Sequence, residues 1–102
     1  MIDLTQLTYE NTRQYIGETF VIRIPDGREI SLVVEDTAVL MEKHLNPRMA
    51  RDSFAWYLRG PADFLLPQGL YALENEKIGT LGIFIVPVGR DTPGVLYEAI
   101  FN

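Results

Sequence analysis

From Thr19 onward, apolar and polar positions alternate in short runs that turn residues interrupt, and this rhythm predicts strands. Thr19-Phe20-Val21-Ile22-Arg23-Ile24 has period two and is rich in β-branched residues, which reads as a strand over 19–24. Pro25-Asp26-Gly27-Arg28 is a turn signal: proline presets φ, aspartate bonds back to the backbone and glycine supplies positive φ. The run from Glu29 to Glu42 places Ile30, Leu32 and Val34 on one face, so 19–42 reads as a hairpin. After Val34 the parity changes, with Asp36 in the next inward slot and Val39 and Met41 on the opposite parity. One inserted residue flips the face of a strand, so the spacing predicts a bulge near 35–37.

The segment 43–52 breaks every pattern and reads as the longest polar connection and the most protease-sensitive one. Strands are then expected over 53–59, with Phe54, Trp56 and Leu58 on one side, and over 69–74, 80–88 and 95–101. The run 80–88 is apolar on both parities: Leu81, Ile83 and Ile85 against Phe84, Val86 and Val88. Such a strand is either covered on both faces or carries a partner surface on one. Pro87 cannot donate to a ladder and is expected to mark the end of its strand. Ahead of the strands, Thr8 to Gly17 is the one helical candidate, with Thr8 as N-cap and Gly17 in the C′ position. These readings sum to an all-β, single-domain chain over 1–102: a small six-stranded, mainly antiparallel barrel or sandwich with one short N-terminal helix.

Composition narrows the function classes. The net charge is −5 and the nine basic residues are scattered, with only Lys43, Arg48 and Arg51 close together. Binding of nucleic acid or of an anionic membrane needs a concentrated positive footprint, so neither is expected. The absence of cysteine excludes disulfides and thiolate metal sites. No apolar run approaches the roughly 20 residues that span a bilayer, and the first residues carry no signal-peptide pattern; a cytoplasmic protein is expected.

The residues that could carry chemistry are few. His44, the single histidine, could act as a base or metal ligand beside Glu42, but it lies in a polar loop without a second histidine at ligand spacing. Arg59 ends a strand, Gly60-Pro61 turns the chain, and Asp63 is placed to reach back to the guanidinium. That pair reads either as an oriented anion-binding arginine or as a corner lock. Glu35 and Asp36 are adjacent, so a regular strand points them to opposite faces. Ser31 and Ser53 have neither a glycine elbow nor a histidine in register. Trp56 and Tyr57 are neighbours on one strand, so one of them faces outward or into a second apolar layer, and an exposed aromatic there would mark a binding face. No enzyme, cofactor or metal site is expected. The candidate ligand or partner surface comprises His44, Trp56, Tyr57, Arg59 and Asp63.

The carboxyl half resembles a family of small uncharacterised bacterial domains of unknown function. The resemblance is carried by Leu58-Arg59-Gly60-Pro61-Ala62-Asp63, Leu66-Pro67-Gln68-Gly69-Leu70-Tyr71, Gly79-Thr80-Leu81, Phe84-Ile85-Val86-Pro87-Val88-Gly89 and Tyr97-Glu98-Ala99-Ile100-Phe101-Asn102. The amino half matches more loosely, through Leu4, Tyr9 and Gly17-Glu18-Thr19-Phe20. The resemblance implies a small β domain without a known activity, in genes that neighbour those of phage-tail collars. The expected function is therefore a non-enzymatic protein-interaction or assembly module, accessory to a phage-tail-like system, that docks onto a partner or pairs as a homodimer. The alternative is a small-ligand-binding barrel that uses the mouth near 43–63.

Overall fold

The computed structural model describes residues 3–46, 48–49 and 51–102. Six strands follow a short N-terminal helical segment: β1 (Thr19–Arg23), β2 (Glu29–Met41), β3 (Ser53–Gly60), β4 (Gly69–Asn75), β5 (Gly79–Asp91) and β6 (Gly94–Phe101). All pair antiparallel in the order β1-β2-β3-β6-β5-β4, and the sheet closes on itself where Val21 of β1 meets Glu74 of β4. The all-β expectation holds, and every strand read from the sequence is present.

Two long strands make closure possible. β2 pairs with β1 over Glu29–Val33 and with β3 from Val33 onward. β5 likewise pairs with β4 over Gly79–Ile85 and with β6 from Ile85 onward. Each must bend to serve two neighbours, and the register shifts twice along β2, between Val34 and Asp36 and between Val39 and Met41, and once along β5. In β2 the register steps from Val34 opposite Leu58 to Asp36 opposite Tyr57, so Glu35 is the inserted residue, inside the stretch the parity change indicated. The insertion moves Asp36 outward and turns Thr37 inward, where its buried hydroxyl donates to the Ala55 carbonyl at 2.8 Å. In β5 the register steps from Pro87 opposite Tyr97 to Gly89 opposite Leu96, with Val88 inserted. The expectation that Pro87 ends its strand is thereby corrected. The strand runs on to Asp91, and the missing donor lies beside a bulge, where the ladder is interrupted anyway.

Side chains fill the interior. Phe20, Leu32, Val34, Phe54, Trp56, Leu58, Leu73, Leu81, Ile85 and Tyr97 have no exposed surface. Phe54 stacks on Phe101 with centroids 4.6 Å apart, and Trp56 lies 5.1 Å from Phe101 and 5.6 Å from Phe20. The Tyr97 hydroxyl ends in this core and accepts the Leu66 amide at 2.8 Å, which holds the segment between β3 and β4 against the barrel. Where β3 leaves the barrel the packing is too close for a Cβ. A methyl on Gly60 would lie 2.7 Å from Leu32 Cδ2, and one on Gly94, at φ +144°, would lie 2.0 Å from the Gly60 carbonyl.

The N-terminal segment packs Leu4, Leu7, Tyr9 and Tyr15 against the core. It contains α1 (Tyr9–Thr12), which tightens into a 3-10 turn over Arg13–Tyr15. Thr8 caps it as expected: its Oγ1 accepts the Asn11 amide at 3.1 Å while Asn11 Oδ1 accepts the Thr8 amide at 2.9 Å, a reciprocal capping box. Gly17 takes positive φ after the turn. Arg51 straps this segment down, donating to the carbonyls of Leu4, Leu7 and Asn102. No helix among the described residues is long and apolar enough to cross a membrane.

Candidate functional site

The five residues singled out from sequence do not form one site. Trp56 lies in the core, packed edge-on against Tyr15 at 6.0 Å, and presents no surface to a partner. Its inclusion in a binding face is corrected: β3 places Phe54, Trp56 and Leu58 inward, so Tyr57 is the member of the pair that faces out. The Tyr57 hydroxyl donates to Glu98 at 2.9 Å, and this bond to a carboxylate raises its pKa, because the phenolate would face a negative charge.

Arg59 is locked, but not by Asp63. Its guanidinium makes a two-pronged bond to Glu35, Nε to Oε2 at 2.8 Å and NH2 to Oε1 at 2.9 Å, and reaches Asp91 at 2.6 Å. Asp63 is exposed and takes no part. The physical reason is the bulge: Glu35 is the inserted residue, and its position on β2 next to the end of β3 brings it to the guanidinium from outside. The bond from Arg59 holds the Glu35 carboxyl below its ordinary pKa, and the two acids push the guanidinium pKa up. An arginine saturated by two carboxylates is a clamp between β2, β3 and the β5–β6 turn, with little left to attract an anion.

His44 is exposed in a 3-10 turn over Lys43–Leu45, with Nδ1 3.2 Å from Glu42. Among the described residues no group of three His, Asp or Glu side chains is placed to hold a metal ion. The loop and the Arg59 corner also lie at opposite ends of β3, an eight-residue strand, so about 20 Å separates them. They do not share the single mouth that the ligand-binding alternative requires.

Two surface features stand out among the described residues. The first is a groove of about 570 Å³ over the β1–β4 seam, lined by Thr19, Val21, Arg23, Glu74, Asn75 and Lys77 among others. Most of its charges are paired: Arg23 bridges Glu29 at 2.5 Å and Glu74 at 3.0 Å, Lys77 approaches Glu18 at 3.7 Å, and the Asn75 amide donates to the Thr19 carbonyl at 2.8 Å. These side chains stitch the seam where Val21 and Glu74 pair across β1 and β4.

The second feature is the outer wall of β4, β5 and β6. Leu70 faces Phe84 across the β4–β5 ladder, and the β5–β6 register carried one residue further sets Ile100 beside Phe84. Leu70 is 74% exposed, Phe84 50% and Ile100 44%. The row beside them adds Ala72 opposite Gly82 on one side and half-buried Val86 on the other. Sequence reasoning recognised that 80–88 is apolar on both parities; the structure shows that Leu81, Ile83 and Ile85 line the core and that the other parity is uncovered. Leu70 and Ile100 were not singled out, because the outward parity of each strand also carries a glutamate, Glu74 or Glu98, and only the pairing brings the three together.

A family model described as a domain of unknown function, DUF6916, matches residues 7–101. Comparison with curated proteins and with solved structures gives no match.

Proposed function

The chain belongs to the DUF6916 family, and from its surface we propose that it is a non-enzymatic protein-interaction module whose docking face is the outer wall of β4, β5 and β6. The observation that carries this reading is the uncovered row Leu70–Phe84–Ile100, three large apolar side chains on adjacent strands. Single exposed apolar residues are ordinary, whereas the largest contiguous apolar patch of a monomer, typically about 300–600 Å², is often functional. Burying about 300 Å² of it would contribute roughly 7 kcal/mol before the cost of association. That supports a contact of weak to moderate strength, with the small neighbours Ala72 and Gly82 leaving room for a partner's side chain.

The ligand-binding alternative has less in its favour, since the barrel interior is packed with side chains and the two loops assigned to its mouth lie far apart. A cytoplasmic assembly role, accessory to a phage-tail-like system as the family resemblance implies, is compatible with a small module that has one sticky wall. The test is site-specific photo-crosslinking in producing cells. A photoreactive residue at position 70 or 84 should give discrete protein adducts, and one at position 31, an exposed outward site across the barrel on β2, should not. Equal labelling at all three positions, or none, refutes the docking face.

A further inference from the structure

The N-terminal segment keeps its hydrogen bonds to itself. The Thr5 amide donates to Asp3, the Leu7 amide to the Leu4 carbonyl, and the Thr12 and Ile16 amides to the Thr8 and Arg13 carbonyls, while the Thr8–Asn11 box caps α1. Among the described residues, no main-chain hydrogen bond joins 3–16 to a strand; the first such bond runs from the Gly17 amide to the Val34 carbonyl at 2.7 Å. Within the segment only Leu7 and Thr12 are buried, and the Thr12 hydroxyl is directed back to the Thr8 carbonyl at 2.8 Å. The fastening comes from one side chain, Arg51, and from the apolar contacts of Leu4, Leu7, Tyr9 and Tyr15 with the core. A cleft of about 150 Å³, lined by Thr8, Tyr9, Glu10, Lys43, Arg51 and Asp52, separates the segment from the loop that carries Arg51, so the two are not packed along their whole length.

Against this segment lies the one tryptophan of the chain. Trp56 has no exposed surface, and among the described residues its indole N–H has no hydrogen-bond partner. Tyr15 of the segment stands edge-on against it at 6.0 Å, while Phe20 and Phe101 flank it from the strands. A buried donor without a partner carries a desolvation penalty, which water relieves once the cover lifts. We propose that residues 3–16 form a lid that opens as one unit while the six strands stay paired, with Gly17 as hinge, Arg51 as latch and the Trp56 indole as the group uncovered. Gly17 suits a hinge: it sits at φ +94°, and a Cβ there would meet nothing within 4 Å, so no packing resists its rotation. Helical turns this short are unstable in water, so the lifted lid unravels and its amides exchange with solvent.

Hydrogen exchange of the folded protein, followed by NMR, tests this, because a single tryptophan gives one indole N–H resonance. Each rate is taken relative to that group's rate in the unfolded chain. The Leu7, Thr12 and Ile16 amides should share one opening equilibrium and exchange at least about tenfold faster than the Gly17 and Val34 amides, which lie on the barrel side of the hinge. The Trp56 indole N–H should exchange with the lid group, and the Trp56 backbone amide with the barrel. Arg51→Ala removes the charged hydrogen bonds of the latch. It should speed the lid amides and the indole by about tenfold or more and leave Gly17 and Val34 within about twofold. Thr8→Ala breaks the capping box without touching Arg51, and should speed the same group by about fivefold. If Leu7, Thr12 and Ile16 exchange at graded, unrelated rates, the segment frays and is not one unit. If the indole exchanges at the barrel rate in wild type, the segment does not gate Trp56. Equal acceleration of Gly17 and Val34 in both variants would mean that segment and barrel open together. Each of these three results overturns the lid.

Discussion

Tyr97→Phe removes one oxygen atom from a fully buried ring and leaves the ring itself in place. That oxygen accepts the Leu66 amide at 2.8 Å, in a site away from water. Burial raises the pKa of the Tyr97 hydroxyl, while the bond from the Leu66 amide acts in the other direction. The substitution deletes a hydrogen bond and strands a buried N–H, which costs about 1–3 kcal/mol, mostly as the desolvation penalty of the orphaned donor. For a domain of this size that corresponds to a fall in Tm of roughly 5–15 °C. Tyr57→Phe is the matched control: it also removes a tyrosine hydroxyl, but from a half-buried ring bonded to Glu98 at 2.9 Å, where water can replace the lost group. Its cost should stay below about 1 kcal/mol. Denaturant unfolding of both variants gives the two differences at an unchanged m-value, and hydrogen exchange reads the Leu66 amide directly. The Leu66 amide should lose protection in Tyr97→Phe and keep it in Tyr57→Phe. A Tyr97→Phe protein as stable as wild type within about 0.3 kcal/mol, with Leu66 still protected, would refute the role assigned to this hydroxyl.

Gly60→Ala should destabilise by about 1–3 kcal/mol, because the new methyl meets Leu32 Cδ2 at 2.7 Å and the Tyr97 ring at 3.1 Å; chemical denaturation measures it. Arg59→Ala and Glu35→Ala should each destabilise, with the double variant costing less than their sum, whereas Asp63→Ala should be neutral; additivity in the first cycle would remove the clamp. The folded-state pKa of Glu35 is depressed, so its contribution is present above the unfolded carboxyl value of about 4.3 and is lost as pH falls through the folded value. The stability gap between wild type and Glu35→Gln should therefore narrow from about pH 6 to about pH 3, as followed by denaturation at each pH. Limited trypsin digestion should cut first after Lys43 or Arg48 and spare Arg51, whose guanidinium is held by three backbone carbonyls; early cleavage after Arg51 would show that the strap is not formed.

The period-two pattern by itself determined the strands and much of their facing. Ile30, Leu32 and Val34 are inward, the parity break after Val34 is a bulge, and Leu81, Ile83 and Ile85 line the core. Such information is local, since the alternation of side chains along one strand depends only on that strand's own backbone. Thr8 and Gly17 were legible for the same reason, because capping acts within a turn of helix. The partners across strands were not legible. Arg59 meets Glu35 and Asp91, residues 24 and 32 positions away, and passes over Asp63 nearby, because register and strand order bring the distant acids to its guanidinium. Arg51 read as part of a polar loop until the fold brought three carbonyls to it, and Tyr97 read as one more apolar strand position until Leu66 arrived at its hydroxyl. The candidate face has the same origin. Phe84 was visible as the outward parity of an apolar strand, but Leu70 and Ile100 join it only through the pairing of β4, β5 and β6. Hydrophobic periodicity specifies which way each side chain points, and only the closed order of the sheet decides what stands beside it.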